Sequence, residues 1–297
     1  MISILYHLEG AVNFLRHMNG GRQMKAELFE YETFLIKDEK SINTISKYLR
    51  DVSMFLDFVG NKKIDKNTVL EFKKSLLTNY AVSSVNSILS SLNSYLGFLG
   101  LNECKVKYEK VQRRTFRDEG KELCKDDYYR MLSVAKYENK IQLYLIIETF
   151  ASTGIRVSEL NYLTVESLAK KHIEITLKGK TRIVILPDKL VESLFGYCIE
   201  NAILSGPIFL TKNRKTIDRS SIWRQIKKLA IKAGVDSEKA YPHNFRHLFA
   251  LIYYETTKDI IHLADILGHS NINTTRIYTQ SSINTIKKEL NHLDLAL

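Results

Sequence analysis

Six residues in the second half of the chain have the side-chain types needed to cleave a phosphodiester. They comprise two arginines, two histidines, a lysine and a tyrosine, in the order Arg156, Lys178, His243, Arg246, His269 and Tyr278. A guanidinium presents forked N–H donors that match phosphate oxygens. A tyrosine hydroxyl becomes a nucleophile when a base takes its proton, and histidine or lysine can serve as base or acid. Because fixed cations can neutralise the phosphate, the set implies no metal ion and no other cofactor.

Three of these positions have a simpler explanation when each is considered alone. Arg156 and Glu159 are three residues apart in TGIRVSEL and share a helix face, which favours a surface ion pair; the alternative is that Glu159 orients Arg156 for function. His269 follows Gly268, a predicted helix end, where a histidine can complement the helix C-terminus. Tyr278 is one of 16 tyrosines, most of which are expected to be structural.

A β-hairpin is predicted around Lys178. Apolar and polar residues alternate in 173–177 and again in 182–186, and KGKT at 178–181 joins the two runs. A lysine at such a tip is usually solvated. The GKT tripeptide resembles the end of a phosphate-binding P-loop, but that loop requires glycine at position 174, where the chain has Glu174.

The segment HNFRHLFA at 243–250 was weighed as a metal site and as a phosphate site. His243 and His247 are four residues apart, which is the spacing of metal ligands on a helix. A zinc protease would require glutamate at position 244, where the chain has Asn244. His243 and Arg246 share a helix face, so the segment favours a phosphate site over a metal site.

The elements that must position these residues are mostly helical. Residues 25–100 predict four amphipathic helices in one bundle, with a cap among 41–44, an end at Gly60, and starts at Asp65 and at Ser83 or Ser84. Beyond Leu123 the predicted helices are DDYYRMLSVAKY, KIQLYLIIETFAS, IRVSELNYL, DKLVESLFGYCIENA, DRSSIWRQIKKLAIKAG, HNFRHLFALIYYETT, KDIIHLADILG and NINTTRIYTQ. The predicted fold class is therefore mostly α with one small β-hairpin (α+β).

Composition points to a polyanionic partner. The 297 residues include 44 Lys+Arg against 33 Asp+Glu, a formal charge of +11, which suits nucleic acid or an anionic membrane surface. No apolar run reaches the ~20 residues of a membrane-spanning helix, and the N-terminus lacks the features of a signal peptide. The three cysteines are widely spaced and odd in number, so they predict no metal site or disulfide framework and favour the cytoplasm.

Taken together, the motifs resemble those of the tyrosine recombinase family. TGIRVSEL, the KGKTRIVILP hairpin, HNFRHLFA, LGHSNINTT and RIYTQ look like the family's motif boxes in order, and Tyr278 follows His269 by nine residues, as in the family. The resemblance covers roughly residues 25–290 and is closest to the short Xer-type and transposon-type members. Phe245 stands where the family usually has leucine, and no polar group is lost by that change.

The resemblance implies a site-specific DNA recombinase that requires neither metal nor ATP. It implies that Tyr278 is the nucleophile and forms a 3′-phosphotyrosine. It also implies that His243 is the general base and that Lys178 is the general acid for the departing 5′ oxygen.

The same resemblance assigns the remaining site residues to binding the phosphate. Arg156 and Arg246 are expected to neutralise the phosphate and His269 to hydrogen-bond it. Glu159 is expected to steady the site.

The residue pattern and the resemblance together predict four segments and a DNA partner. These are an N-terminal extension at 1–23 (a short arm or an upstream mis-assigned start), a helical core-binding domain at 24–104, a basic linker at 105–121 and a catalytic domain at 122–297. Double-stranded DNA is expected to lie between the two domains. The protein is expected to be a monomer in solution and a homotetramer on DNA. An accessory recombinase or directionality factor is expected as a further partner. The candidate DNA-binding residues are Lys47, Arg50, Arg113 and Arg114.

Two other functions stay open on the sequence alone. One is a type IB topoisomerase, which would relax supercoils without a specific site. The other is a DNA-binding protein on a catalytically decayed integrase scaffold. Replacing Tyr278 by phenylalanine separates the enzymes from the binding protein. A recombinase or a topoisomerase would lose cleavage, whereas a protein that only binds DNA would lose nothing.

Overall fold

The computed structural model describes residues 22–111, 119–177, 180–269, 271–279 and 291. The chain divides at Arg113/Arg114 into two compact units, called here the N-terminal and C-terminal units. The predictions made for residues 1–21, Arg113, Arg114, Lys178 and the segment after 279 lie outside the described residues. Within them, no helix is both long and apolar enough to cross a membrane.

The N-terminal unit contains the four predicted helices. They are α1 (Arg22–Lys37), α2 (Ile42–Val59), α3 (Lys66–Asn79) and α4 (Val82–Phe98). The Ser41 and Asp65 side chains accept the amides of Thr44 and Thr68 as N-caps, and Gly60 ends α2 with φ +57°. The predicted start of α4 at Ser83 or Ser84 is wrong. The helix begins after Ala81 without a side-chain cap, because burial of Val85, Ile88 and Leu89 sets its register.

The N-terminal unit also includes the first part of the predicted linker. Val106 is buried in its core, and its backbone N–H and C=O both bond to the Asn93 side chain, at 3.0 and 2.9 Å. The Asn86 side chain holds the backbone of Glu109 in the same way, at 2.8 Å for both bonds. Two asparagines of α4 thus act as hydrogen-bond partners for an extended backbone segment.

The C-terminal unit is helical apart from one hairpin. Its helices are α5 (Lys125–Tyr137), α6 (Ile141–Thr153), α7 (Val165–Lys170), α8 (Asp188–Glu200), α9 (Arg219–Lys232), α10 (Pro242–Thr257) and α11 (Ile260–Leu267). Helix α6 packs against α5, α8, α9 and α10 and places Ile146, Ile147 and Phe150 in the core. The two segments predicted as further helices form 3-10 turns instead, at Val157–Tyr162 and at Ile272–Thr274 with Arg276–Thr279.

The hairpin is confirmed, with a shorter connection than predicted. Strands β1 (His172–Leu177) and β2 (Lys180–Ile185) pair antiparallel from His172↔Ile185 to Leu177↔Lys180. Only residues 178–179 lie between the strands, so the predicted four-residue connection is wrong. The ladder continues because Thr176 and Thr181 face each other, with their hydroxyl oxygens 2.9 Å apart.

Candidate active site

A pocket of about 300 Å³ in the C-terminal unit contains three of the six predicted catalytic residues in its walls. Arg156 enters from the residue before the 3-10 turn at Val157–Tyr162, and its extended backbone (φ −79°, ψ 152°) explains why no α-helix forms there. His243 and Arg246 enter from the first turns of α10, which starts at Pro242. Residues almost a hundred positions apart in the sequence therefore meet in one concave site.

Arg246 is the most buried cation of the site, at 1% exposure. One of its terminal nitrogens donates to the Gly154 carbonyl, and the other donates to the Leu267 carbonyl at 2.7 Å and to His269 Nε2 at 3.2 Å. Its Nε has no hydrogen-bond partner among the described residues. Burial, followed by the charges of Arg156 and Arg182, lowers the pKa of Arg246 to about 10, so it stays charged at neutral pH.

The carbonyls that hold Arg246 lie at two helix ends closed by glycine. Gly154 (φ +64°) ends α6, and Gly268 (φ +61°) ends α11. A Cβ at Gly154 would lie 2.6 Å from Phe249 Cδ1, and one at Gly268 would lie 2.5 Å from Arg182 Cδ. Both positions therefore require glycine for backbone conformation and for space.

Glu159 is a fully buried carboxylate that contacts two arginines of the site, and its exposure is 0%. It accepts hydrogen bonds from the Arg156 backbone N–H at 2.7 Å, from Arg156 Nη1 at 2.8 Å and from Arg182 Nη2 at 2.5 Å. Burial raises its pKa, but the bonds from Arg156 and the charges of Arg182 and Arg156 outweigh burial and lower it below its usual value. The sequence-based expectation of a surface ion pair is wrong, because the carboxylate is inside the protein and shared by two arginines.

Arg182 is a site residue that the sequence reasoning missed. It projects from β2, is 14% exposed at its side chain, and donates from Nη1 to the Ile266 carbonyl at 2.5 Å. It therefore joins the hairpin to Glu159 and to the end of α11. A signal was present in the alternation of the strand, because Arg182 has the same phase as the buried Val184.

His269 is held as a neutral ring. Its Nε2 accepts from Arg246, so its Nδ1 carries the hydrogen and donates to Thr275 Oγ1 at 2.9 Å. Desolvation and then the positive charges of Arg246, Arg156 and Arg182 lower its pKa to about 4. Thr275 has 0% exposure and was not singled out from the sequence.

Tyr278 lies beside the pocket and not among the residues that line it. The side chain is buried, at 4% exposure, and its ring meets the His247 ring edge-on with the ring centroids 4.8 Å apart. Burial raises the pKa of Tyr278, and the charges of Arg246 and Arg156 act against that rise. His247 is one helical turn beyond His243 on α10, and its ring packs Tyr278 next to the site.

The structure distinguishes the two candidate DNA-binding residues of α2. Lys47 donates to Asp51 Oδ2 at 2.6 Å, to the Ser87 carbonyl at 2.8 Å and to Ser91 Oγ at 2.9 Å. Its ammonium is therefore committed to contacts within the N-terminal unit. The Arg50 side chain is 69% exposed and lies 3.7 Å from Asp51 Oδ1.

Sequence comparisons cover both units. The pattern of the phage integrase family matches residues 121–285, and that of the phage integrase N-terminal SAM-like domain matches residues 28–102. The tyrosine recombinase XerA of Thermococcus kodakarensis is 30% identical over 269 residues, which are 87% of this chain and 92% of the relative. The chain belongs to the phage integrase family. It is a tyrosine recombinase of the Xer type, an enzyme of site-specific recombination that cleaves and rejoins DNA strands.

Solved structures show that the recombinase also has the fold of this family. The XerH recombinase bound to difH substrate, in a pre-cleavage complex, aligns with a TM-score of 0.68 at 18% identity over 98% of this chain and 96% of that one. A lambda integrase tetramer bound to a Holliday junction aligns with a TM-score of 0.68 at 16% identity over 85% of this chain and 76% of that one. The predicted family and fold class are confirmed, and neither alternative function is favoured.

Replacing Arg182 by methionine is expected to destabilise the recombinase by about 3–5 kcal/mol, because it removes one cation from the buried Glu159 and leaves the Ile266 carbonyl without its donor. Urea unfolding measures the loss. The matched control is Lys170→Met, which removes an ion pair with Glu174 whose side chains are both more than half exposed, and it should cost less than about 1 kcal/mol. Equal stabilities of the two variants would show that Arg182 does not hold the site together.

Stability is expected to fall below pH 6.5 partly through His269. The folded pKa of about 4 lies below the unfolded value near 6.5, so the unfolded state takes up the proton first. The contribution of His269 is therefore complete above about pH 6.5 and is lost as the pH falls towards 4. Urea midpoints at pH 7.5 and 5 should differ less in His269→Gln than in the native chain. The control is His262→Gln at an exposed position, which should keep the native difference between the two midpoints. If His269→Gln also keeps that difference, His269 does not contribute to the pH dependence of stability.

Proposed function

We propose that this recombinase cleaves a DNA strand by attack of the Tyr278 hydroxyl on a phosphodiester bound by Arg156 and Arg246. The P–O bond to the 5′ oxygen breaks, and the products are a 3′-phosphotyrosine and a free 5′-hydroxyl. The observation that carries the proposal is the meeting of Arg156, His243 and Arg246 in one pocket, with Tyr278 packed one helical turn away against His247.

The arginines supply the positive charge that the reaction needs. Negative charge builds on the nonbridging oxygens as the tyrosine attacks, and preorganised donors at such oxygens typically contribute several kcal/mol to a transition state. Arg246 suits this role because its guanidinium is already fixed by two carbonyls and its Nε remains without a partner in the described part of the chain. The Glu159 carboxylate likewise fixes Arg156, because it accepts hydrogen bonds from the Arg156 backbone N–H and from the Arg156 side chain.

Proton transfer is assigned to His243 and Lys178. Desolvation, followed by the charges of Arg246 and Arg156, lowers the pKa of His243, so the ring is neutral and able to accept the Tyr278 proton at physiological pH. Lys178 is proposed as the acid that protonates the departing 5′ oxygen. Family resemblance supports this role, and so does the hairpin, which Arg182 joins to the site. His269 is proposed to hydrogen-bond the phosphate through Nε2 when DNA is bound. This requires the other tautomer of the ring, in which Nε2 carries the hydrogen and the Thr275 hydroxyl donates to Nδ1.

Rejoining needs no energy source, because the phosphotyrosine conserves the bond energy. A 5′-hydroxyl attacks the phosphorus, releases Tyr278 and restores a phosphodiester. When the attacking hydroxyl comes from a partner strand, the result is strand exchange. The chemistry proposed here uses the chain's own side chains and calls for no metal or ATP.

The DNA partner is proposed to be a duplex held by a core-binding domain at 24–104 and a catalytic domain at 122–297. The net charge of +11 supports this, and binding is expected to weaken steeply with salt. In the N-terminal unit Arg50 is the better phosphate ligand, since Lys47 is held by Asp51. Arg113 and Arg114 are proposed to contact DNA from the linker.

Recombination of two duplexes requires four strand cuts, so a homotetramer on DNA is proposed, formed from monomers. The lambda integrase tetramer on a Holliday junction supports that assembly. A second recombinase or a directionality factor is proposed as an accessory partner. Action in the cytoplasm fits the free cysteines, of which Cys104 and Cys198 are buried.

Covalent trapping tests the proposal. Nicked duplexes tiled across the DNA that flanks the gene, and then a genomic library, are mixed with the full chain in a buffer without metal or ATP. A denaturing gel is expected to show a protein–DNA adduct joined through the 3′ phosphate of the cleaved strand, together with a released fragment that has a free 5′-hydroxyl. Absence of any adduct across the library, despite salt-sensitive binding to the same DNA, would overturn the proposal.

A further inference from the structure

Helix α9 has an outer surface of a single charge sign. Its sequence RSSIWRQIKKLAIK contains five basic residues and no acidic residue. Ile222, Ile226 and Leu229 are buried in the core, which leaves the basic side chains on the other faces. Trp223, the one tryptophan of the chain, projects from α9 at 49% exposure. An exposed tryptophan on a cationic helix is unusual, because burial of that side chain is strongly favoured.

The N-terminal end of α9 forms a second wall of the pocket described above. Arg219, Trp223 and Tyr241 line the same cavity as Arg156 and Arg246. Arg219 and Trp223 are four residues apart on the helix and therefore neighbours on one face. Neither residue has a part in the cleavage chemistry assigned above, so that wall needs another explanation.

We propose that Arg219 and Trp223 form a subsite for the nucleotide that flanks the scissile phosphate. Arg219 binds the neighbouring phosphate, and the Trp223 indole packs against the base of the same nucleotide. The subsite rests on the proposed function, since it is defined relative to the phosphate held by Arg156 and Arg246.

Charge and geometry favour a nucleotide over an apolar ligand. A guanidinium beside an aromatic ring matches the two parts of a nucleotide, an anion and a flat π-face. The cavity of about 300 Å³ is at the small end of ligand pockets, so it accommodates a segment of one strand at most.

A cation of the same helix also lies close to the indole. Lys227 Nζ lies 5.1 Å from the Trp223 ring centroid. That ammonium donates to the Ser237 carbonyl and lies 3.3 Å from Glu238 Oε1. A ring held by a tethered cation loses little freedom when a base packs on it, which makes it a suitable stacking platform.

Intrinsic fluorescence tests the subsite, because Trp223 is the only tryptophan. The full chain carrying Tyr278→Phe is titrated at low salt with a short nicked duplex, in which the base at the nick can unstack from its neighbour. Binding is then followed without chemistry. The expected result is a saturable change in Trp223 emission with DNA and none with inorganic phosphate. Trp223→Ala should weaken binding about five- to a hundredfold, and Trp223→Phe should restore most of the affinity.

Two arginines of α9 provide a test variant and its matched control. Arg219 lines the pocket and Arg224 does not, although both are exposed on the same helix. Arg219→Ala should weaken binding at least about fivefold more than Arg224→Ala. Equal losses, or saturation by DNA without a change in emission, would overturn the subsite. So would an emission change that follows protein concentration without DNA, since that would show contact with a second copy.

The two proposals fail separately. If covalent adducts form but Trp223 does not respond to DNA, cleavage stands and the subsite is wrong. If Trp223 responds and Arg219→Ala binds weakly, but no adduct ever forms, the subsite stands and the assigned chemistry is wrong.

Discussion

A Tyr278→Phe variant is expected to bind DNA as the native recombinase does and to form no covalent adduct with it. The phenol oxygen is the atom that bonds to phosphorus, so its removal should lower the rate of adduct formation by a factor on the order of 10⁴ or more. The phenylalanine ring retains the edge-on contact with His247 and the packing against Leu263 and Leu267. Folding and DNA affinity should therefore be unchanged, which separates a lost nucleophile from a damaged protein.

The matched control is Tyr253→Phe. Tyr253 packs against the same cluster as Tyr278, and its hydroxyl lies 3.0 Å from His262 Nδ1. This variant should form adducts at the native rate on the same nicked duplex. The rates are compared by denaturing gel, and DNA binding by gel shift at fixed salt. An adduct that persists in Tyr278→Phe, or one that is lost in Tyr253→Phe, would show that another residue is the nucleophile.

Motif order predicted three residues that meet in the pocket. Arg156, His243 and Arg246 are separated widely in the sequence, yet all three line the pocket. The sequence did not indicate how they are held. The i,i+3 spacing of Arg156 and Glu159 predicted an ion pair on the surface. Spacing identifies neighbours on a helix, but it does not show whether another element of the fold covers them. Strand β2 covers this pair and brings Arg182 to the same carboxylate.

Local sequence predicted the helix ends that a side chain or a glycine caps, but not the end that packing alone determines. Ser41, Asp65 and Gly60 have those roles in the structure. The start of α4 was missed because Ala81 provides no side-chain cap and packing alone sets the boundary. Thr275 was missed for a related reason, since its importance comes from a contact with His269 that only the folded chain creates.

Replacing Arg246 by lysine should damage both folding and catalysis while preserving the charge. A single ammonium cannot reach the Gly154 carbonyl, the Leu267 carbonyl and His269 together, as the guanidinium does. Buried groups that lose a partner cost about 1–3 kcal/mol each, so the free energy of unfolding should fall by about 2–4 kcal/mol. Adduct formation should slow by a factor of about 10²–10³, as for the loss of one preorganised donor.

The two losses can be measured apart because they concern different atoms of one side chain. Urea unfolding reports the carbonyls that join the ends of α6 and α11. Single-turnover adduct formation with saturating DNA, well below the unfolding temperature of the variant, reports the donors that face the phosphate. Arg224→Lys on the exposed face of α9 is the control and should change neither quantity. If the variant keeps native stability but cleaves slowly, Arg246 acts on the phosphate and does not stabilise the fold. If it cleaves at the native rate but is less stable, Arg246 has no part in the chemistry and Arg156 is the phosphate ligand.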